Sequence, residues 1–159
     1  LRLYKKITQS IASLQKQNDA KFCVSTKTKN TMSQRLKISS GSPFEDVFGY
    51  CRAVKTGNLV EISGTVALID GEKVTADDLY AQTYNIIERI AVVLEEAGSS
   101  IKDVVRTRIF TTDISQNLEI ARAHAHFFGE VKPTTGIYEI SALIAPQYKV
   151  EIEFTAWVG

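Results

Sequence analysis

The chain has 159 residues, 44% of them hydrophobic and 23% charged, with 19 basic residues against 18 acidic. That composition suits a soluble globular domain and leaves no net field to attract nucleic acid. Two cysteines, Cys23 and Cys51, argue against a disulfide scaffold; no Cys/His spacing matches a zinc site, and no apolar run approaches the ~20 residues that span a bilayer.

Residues 1–31 carry seven basic residues and one acid, Asp19, a net +6, whereas residues 32–159 carry a net −5. This places a boundary near Met32. Leu3, Ile7, Ile11 and Leu14 fall at helical spacing among lysines, as in a basic targeting peptide. A disordered tail, or leader sequence ahead of a start at Met32, fits the same residues. The expected location is cytoplasmic, or mitochondrial if residues 1–31 are a targeting peptide. The fold is expected in residues 32–159.

There, Leu36–Ser39 reads as a short edge strand, and Ser40–Pro43 as a turn. Gly49–Val54 and Leu59–Ser63, joined through Thr56-Gly57-Asn58, predict a β-hairpin. Asp70-Gly71 marks a second turn between Val66–Leu68 and Lys73–Val74. Thr75, with Asp78 three residues on, is the expected cap of a helix. Its apolar stripe runs Leu79, Thr83, Ile86, Ile87, Ile90, Val93, Leu94, Ala97, and Gly98 stops it. Val104–Thr112 is a strand with Val105, Thr107, Ile109 and Thr111 on one face. Ser115 is the expected cap of a second helix that runs to Phe128 and closes at Gly129. Thr134–Leu143 predicts a strand, and a last strand begins near Val150. About six strands and two helices imply an α+β sandwich, a mixed sheet with both helices on one face.

The apolar sides Val105/Ile109, Tyr138/Ile140 and Ile152/Phe154 are expected to take the helices. The other side then carries Arg106, Arg108, Glu139, Glu151 and Glu153 among Phe110, Ile137 and Trp157. Arginine, glutamate and large apolar groups together suit a face packed against another copy of the chain better than one open to water.

Most catalytic signatures are missing. His124 and His126, two apart on a helix, diverge by about 200° and cannot share a metal. Ser63-Gly64-Thr65 lacks the flanking glycine of a nucleophile elbow, and no phosphate-cradling loop is present. Cys51 reads as an inert, partly buried thiol. Glu139, Glu151 and Glu153 remain: a carboxylate on a buried sheet face can have a raised pKa and move a proton, or simply pair with Arg106 or Arg108.

Several segments together resemble one family. Gly49-Tyr50-Cys51-Arg52-Ala53-Val54, Gly57-Asn58 and Ile62-Ser63-Gly64-Thr65 resemble the opening hairpin of the Rid (reactive intermediate deaminase, YjgF-like) family. Asp103–Phe110 with Thr112-Asp113 resembles its middle strand. His126-Phe127-Phe128-Gly129, Lys132-Pro133-Thr134-Thr135, Glu139-Ile140 and Val150-Glu151-Ile152-Glu153 resemble its last third. The resemblance implies a chorismate-mutase-like fold, a homotrimer with ligand clefts between subunits, and hydrolysis of enamines and imines to 2-oxo acids and ammonia without a cofactor. It places a water-positioning glutamate at Glu151 and a pocket tyrosine at Tyr50. The family's carboxylate-binding arginine falls on Thr135, so the chain resembles the branch that lacks it. Arg52 or Arg108 is the expected substitute. The expected site is thus Glu151 as the catalytic residue, with Tyr50, Arg52, Arg108 and Thr135 binding a small anionic metabolite. No metal, membrane or nucleic-acid partner is expected. A metabolite-binding or chaperone-like trimer without turnover is the alternative.

Overall fold

The computed structural model describes residues 35–159. The expectations for residues 1–31 lie outside the described residues. Six strands form one mixed sheet: β1 (Leu36–Ile38), β2 (Ala53–Thr56), β3 (Leu59–Val66), β4 (Val104–Thr111), β5 (Thr134–Glu139) and β6 (Val150–Trp157). Their order across the sheet is β1-β2-β3-β6-β4-β5, antiparallel throughout except for the parallel pair β4/β5. The three α-helices are α1 (Phe44–Phe48), α2 (Leu79–Glu96) and α3 (Asn117–Phe128).

The apolar stripe of α2 is the core of the molecule. Ile86, Ile87, Ile90 and Leu94 are fully buried against Val60, Ile152, Phe154 and Ala156 of the sheet and beside Ile120 and Phe128 of α3. Each such side chain contributes roughly 1.5–3 kcal/mol through burial. The helix ends as its sequence implies. Gly98 is left-handed (φ 68° at Gly49 and 64° here), and Ser99 N–H donates to Leu94 O while Gly98 N–H donates to Glu95 O.

The start of α2 differs from expectation. Its cap is Asp78, whose carboxylate accepts from Ala81 N–H at 2.8 Å, not Thr75. The backbone of Thr75 is held instead by Gln82, a buried amide that donates to the carbonyls of Thr75, Ala76 and Gln147 and accepts from Lys149 N–H. At α3, Asp113 rather than Ser115 caps the chain, and a 3-10 turn, Ile114–Gln116, precedes the helix. Ser42 and Pro43 lead into α1, which turn chemistry alone did not predict as a helix.

Strand β5 is shorter than expected, and its faces are reversed. Parallel pairing sets Ile137 beside Ile109 and Tyr138 beside Phe110. Thr135 and Ile137 therefore face the helices, while Tyr138 packs on Phe110 across the bare face, with ring centroids 5.9 Å apart. Glu139 also leaves the bare face and accepts from Ile114 N–H. Val105 is exposed because β4 bulges against β6 between Val104 and Arg106. The bare face keeps Arg108, whose Nε lies 3.3 Å from Glu153, together with Glu151 and the exposed Trp157.

Candidate functional site

The site begins with an irregularity in β3. Its register against β6 shifts between Ile62 and Thr65, so Ser63 and Gly64 bulge out of the ladder. A bulge leaves backbone groups without ladder partners. Arg52, leading into β2 and 8% exposed, meets that need. Its Nη1 donates to Gly64 O and Thr65 Oγ1, both at 2.8 Å, and to Ser63 O at 3.4 Å. Its Nη2 donates to the Tyr50 hydroxyl at 3.2 Å, and the guanidinium carbon lies 5.5 Å from the centre of that ring. Arg52 Nε is buried with no hydrogen-bond partner among the described residues.

Gly64 also makes room for Glu151. The glutamate opens β6 opposite Val66 on one side and Phe110 on the other. Its carboxylate lies over Gly64, where even a methyl group would overlap it. Burial pushes the Glu151 carboxyl above its ordinary range; the charge of Glu153 adds to the rise, and Arg52 opposes it. A carboxyl so placed exchanges a proton closer to neutrality than a solvated glutamate does.

Tyr50, Arg52 and Glu151 line one open cavity of about 470 Å³. Its walls are the Ser40–Ser42 turn, Phe44 and Phe48 of α1, the end of β3, and Ile144 and Tyr148 from the loop before β6. Glu45, beneath the turn, accepts from the hydroxyls of Ser39 and Ser40 and from Ser40 N–H, and these bonds hold its pKa down. Arg89 of α2, absent from the expected site, also lines the cavity, and its Nη1 donates to Val66 O at 2.7 Å.

Two expected residues stand apart. Arg108 shares the sheet face of Glu151 but pairs with Glu153 and does not line the cavity. Thr135 lies on the opposite, helix-facing side. It receives a hydrogen bond from Thr107 Oγ1 at 3.0 Å and donates to Pro133 O at 3.1 Å. His124 Nε2 lies 3.1 Å from the same Thr107 hydroxyl, and burial lowers the His124 pKa. These groups border a second, mainly apolar cavity lined by Ile109, Ile120 and Ile137. Its one titratable lining group is His124, engaged with the Thr107 hydroxyl, and no carboxylate or arginine lines it to hold an anionic ligand. Among the described residues no cluster of three or more His, Cys, Asp or Glu side chains could hold a metal, and no helix is long and apolar enough to cross a membrane.

The family described as Endoribonuclease L-PSP matches residues 42–158. A solved structure of a YjgF/YER057c/UK114-family protein from Mycobacterium tuberculosis is similar with a TM-score of 0.73 and 46% identity, covering 79% of this chain and 100% of that one. The 3-aminoacrylate deaminase RutC of Acinetobacter baylyi is 30% identical over 128 residues, 80% of this chain and 100% of the relative. The mitochondrial protein mmf2 of Schizosaccharomyces pombe is 34% identical over 122 residues, 76% and 91% of the two chains. With its sheet order, its hairpin and its last strand all in place, the chain belongs to the endoribonuclease L-PSP family, the Rid or YjgF-like family that its motifs resemble.

Proposed function

We propose that this protein hydrolyses small enamines or imines to 2-oxo acids and ammonia, in clefts completed between the subunits of a homotrimer. The observation that carries the reading is Glu151: a half-buried carboxyl of raised pKa, seated over Gly64 and sharing a cavity with Tyr50 and Arg52. In the reaction Glu151 takes a proton from water as the water oxygen bonds to the imine carbon. It passes that proton to the nitrogen, giving a carbinolamine. It then takes the hydroxyl proton as the C=O bond forms and delivers it to the amino nitrogen as the C–N bond breaks, so ammonia leaves, the 2-oxo acid remains and the carboxylate is restored, an enamine entering as its imine tautomer. Tyr50 borders the ligand, and Arg52 holds the bulge that positions the glutamate. The deaminase name of the relative from Acinetobacter baylyi supports this reaction class.

The trimer is supported by the bare sheet face. Trp157 is 55% and Tyr138 47% exposed there, beside the Arg108–Glu153 pair. Thr135, on the edge strand β5, joins the cleft from a neighbouring copy, while Arg108 acts at the seam. Against an RNA substrate stands the net charge of −5 over residues 32–159, which disfavours a polyanion.

The test supplies 2-aminoacrylate generated in situ and follows pyruvate release. Release faster than in buffer is expected. Release equal to buffer, with 2-oxo acids still bound in calorimetry, would favour a binding protein without turnover.

A further inference from the structure

The cavity holds two guanidinium groups, and among the described residues no carboxylate is paired with either. Among the described residues the ion pairs are Arg108–Glu153 and Arg122–Glu119, both elsewhere. A cation taken partly out of water without a counter-ion is costly, and two such cations side by side more so. Burial, and then the charge of Arg52, hold the Arg89 pKa below its ordinary value.

The two arginines differ in what they can offer a ligand. Arg52 is committed to the β3 bulge and Tyr50 through both terminal nitrogens. Arg89 spends one nitrogen on Val66 O and makes no other hydrogen bond among the described residues. A guanidinium has five N–H donors, so most of its fork is free. Val66 is the register partner of Glu151, which places the Arg89 anchor in the same row as the reacting carboxyl.

Resting on the reading that this cavity is the reaction site, we infer that Arg89 is the residue that grips the ligand's anionic group, a planar carboxylate held by the free edge of its fork. A carboxylate matches that edge with two parallel charge-assisted bonds. A phosphate offers oxyanions of the same kind, but its second negative charge would face Glu151 as well, so a monoanion is favoured.

The experiment is calorimetric titration of the full-length protein with 2-oxobutanoate and, separately, inorganic phosphate. The wild type is expected to bind 2-oxobutanoate and to prefer it over phosphate. Arg89→Gln, which keeps an amide donor for Val66 O and removes the charge, should weaken binding roughly ten- to hundredfold. Arg89→Lys, which keeps both charge and donor, should retain a substantial part of it. Glu151→Gln should bind at least as tightly as wild type. Binding that survives Arg89→Gln within twofold would overturn this inference alone. A wild type that binds neither anion would overturn it together with the proposed reaction site, and tighter binding of phosphate would overturn the carboxylate assignment.

Discussion

Gly64→Ala isolates the seat of Glu151 from its chemistry. The Gly64 backbone is not left-handed, so alanine adds no backbone strain, and the whole effect comes from a methyl group that overlaps the Glu151 carboxylate. The overlapped atom is the end of a flexible side chain. Relief by an off-minimum rotation costs about 0.5–1.5 kcal/mol, so the fold should survive with about 1 kcal/mol lost. The carboxylate, however, must move by about an ångström, a misplacement worth roughly a hundredfold in rate. Urea denaturation measures the first effect, and pyruvate release from 2-aminoacrylate, coupled to NADH oxidation, measures the second. A small stability loss with a large rate loss is expected. Wild-type turnover in a folded Gly64→Ala protein would refute the argument that this glycine sets the position of the reacting group.

Arg52→Met keeps the buried stem but strips the donors from the bulge, leaving the Gly64 carbonyl orphaned while Ser63 O keeps its bond from Thr65 Oγ1; at about 1–3 kcal/mol for a buried unsatisfied group, a loss of about that size is expected in urea denaturation. The folded pKa of Glu151 is raised, so its stabilising protonated form is fully present below the ordinary carboxylate range, and that stability is lost as pH rises through the folded value. Glu151→Gln should therefore melt higher than wild type at pH 8 and show little difference at pH 3.5. Arg108→Glu sets a carboxylate against Glu153; it should cost the single chain no more than about 1 kcal/mol, yet shift sedimentation from a three-chain particle toward one of 17.6 kDa.

What could be read from the residues tracks how local the deciding interaction is. The period of Ile86, Ile87, Ile90 and Leu94 with Gly98 behind it specifies α2 without outside help, and the alternation Val150, Ile152, Phe154, Ala156 specifies which side of β6 is buried. Strand β5 was ambiguous because both of its faces are apolar, Ile137 on one and Tyr138 on the other. Only the parallel register with β4, a contact almost 30 residues away in sequence, decides between them. The exposure of Val105 likewise comes from a bulge that alternation cannot show. Thr75 and Asp78 are both good capping residues; the claim of Gln82 on the Thr75 carbonyl leaves the cap to Asp78.

In the site, the family resemblance points to Tyr50 and Glu151, with Arg52 a candidate substitute for the missing arginine, and the structure gathers the three into one cavity. Arg108, the other candidate substitute, and Thr135, the position on which the family's arginine falls, lie elsewhere within the chain, one bound to Glu153 and the other across the sheet. Gly64 was visible only as part of a motif, because its purpose depends on a side chain 87 positions later. Arg89 was hidden for a related reason: a charge at the edge of a helical stripe reads as a solvated flank until β3 is placed beside it.

Rate measurements on wild type and Glu151→Gln, side by side with 2-aminoacrylate at neutral pH, bear most directly on the assignment of Glu151 as the proton-transferring group. The expected result is release well above buffer for the wild type and a fall of about 10²–10⁴-fold, toward the buffer rate, for the folded variant. Equal rates for the two proteins would contradict it.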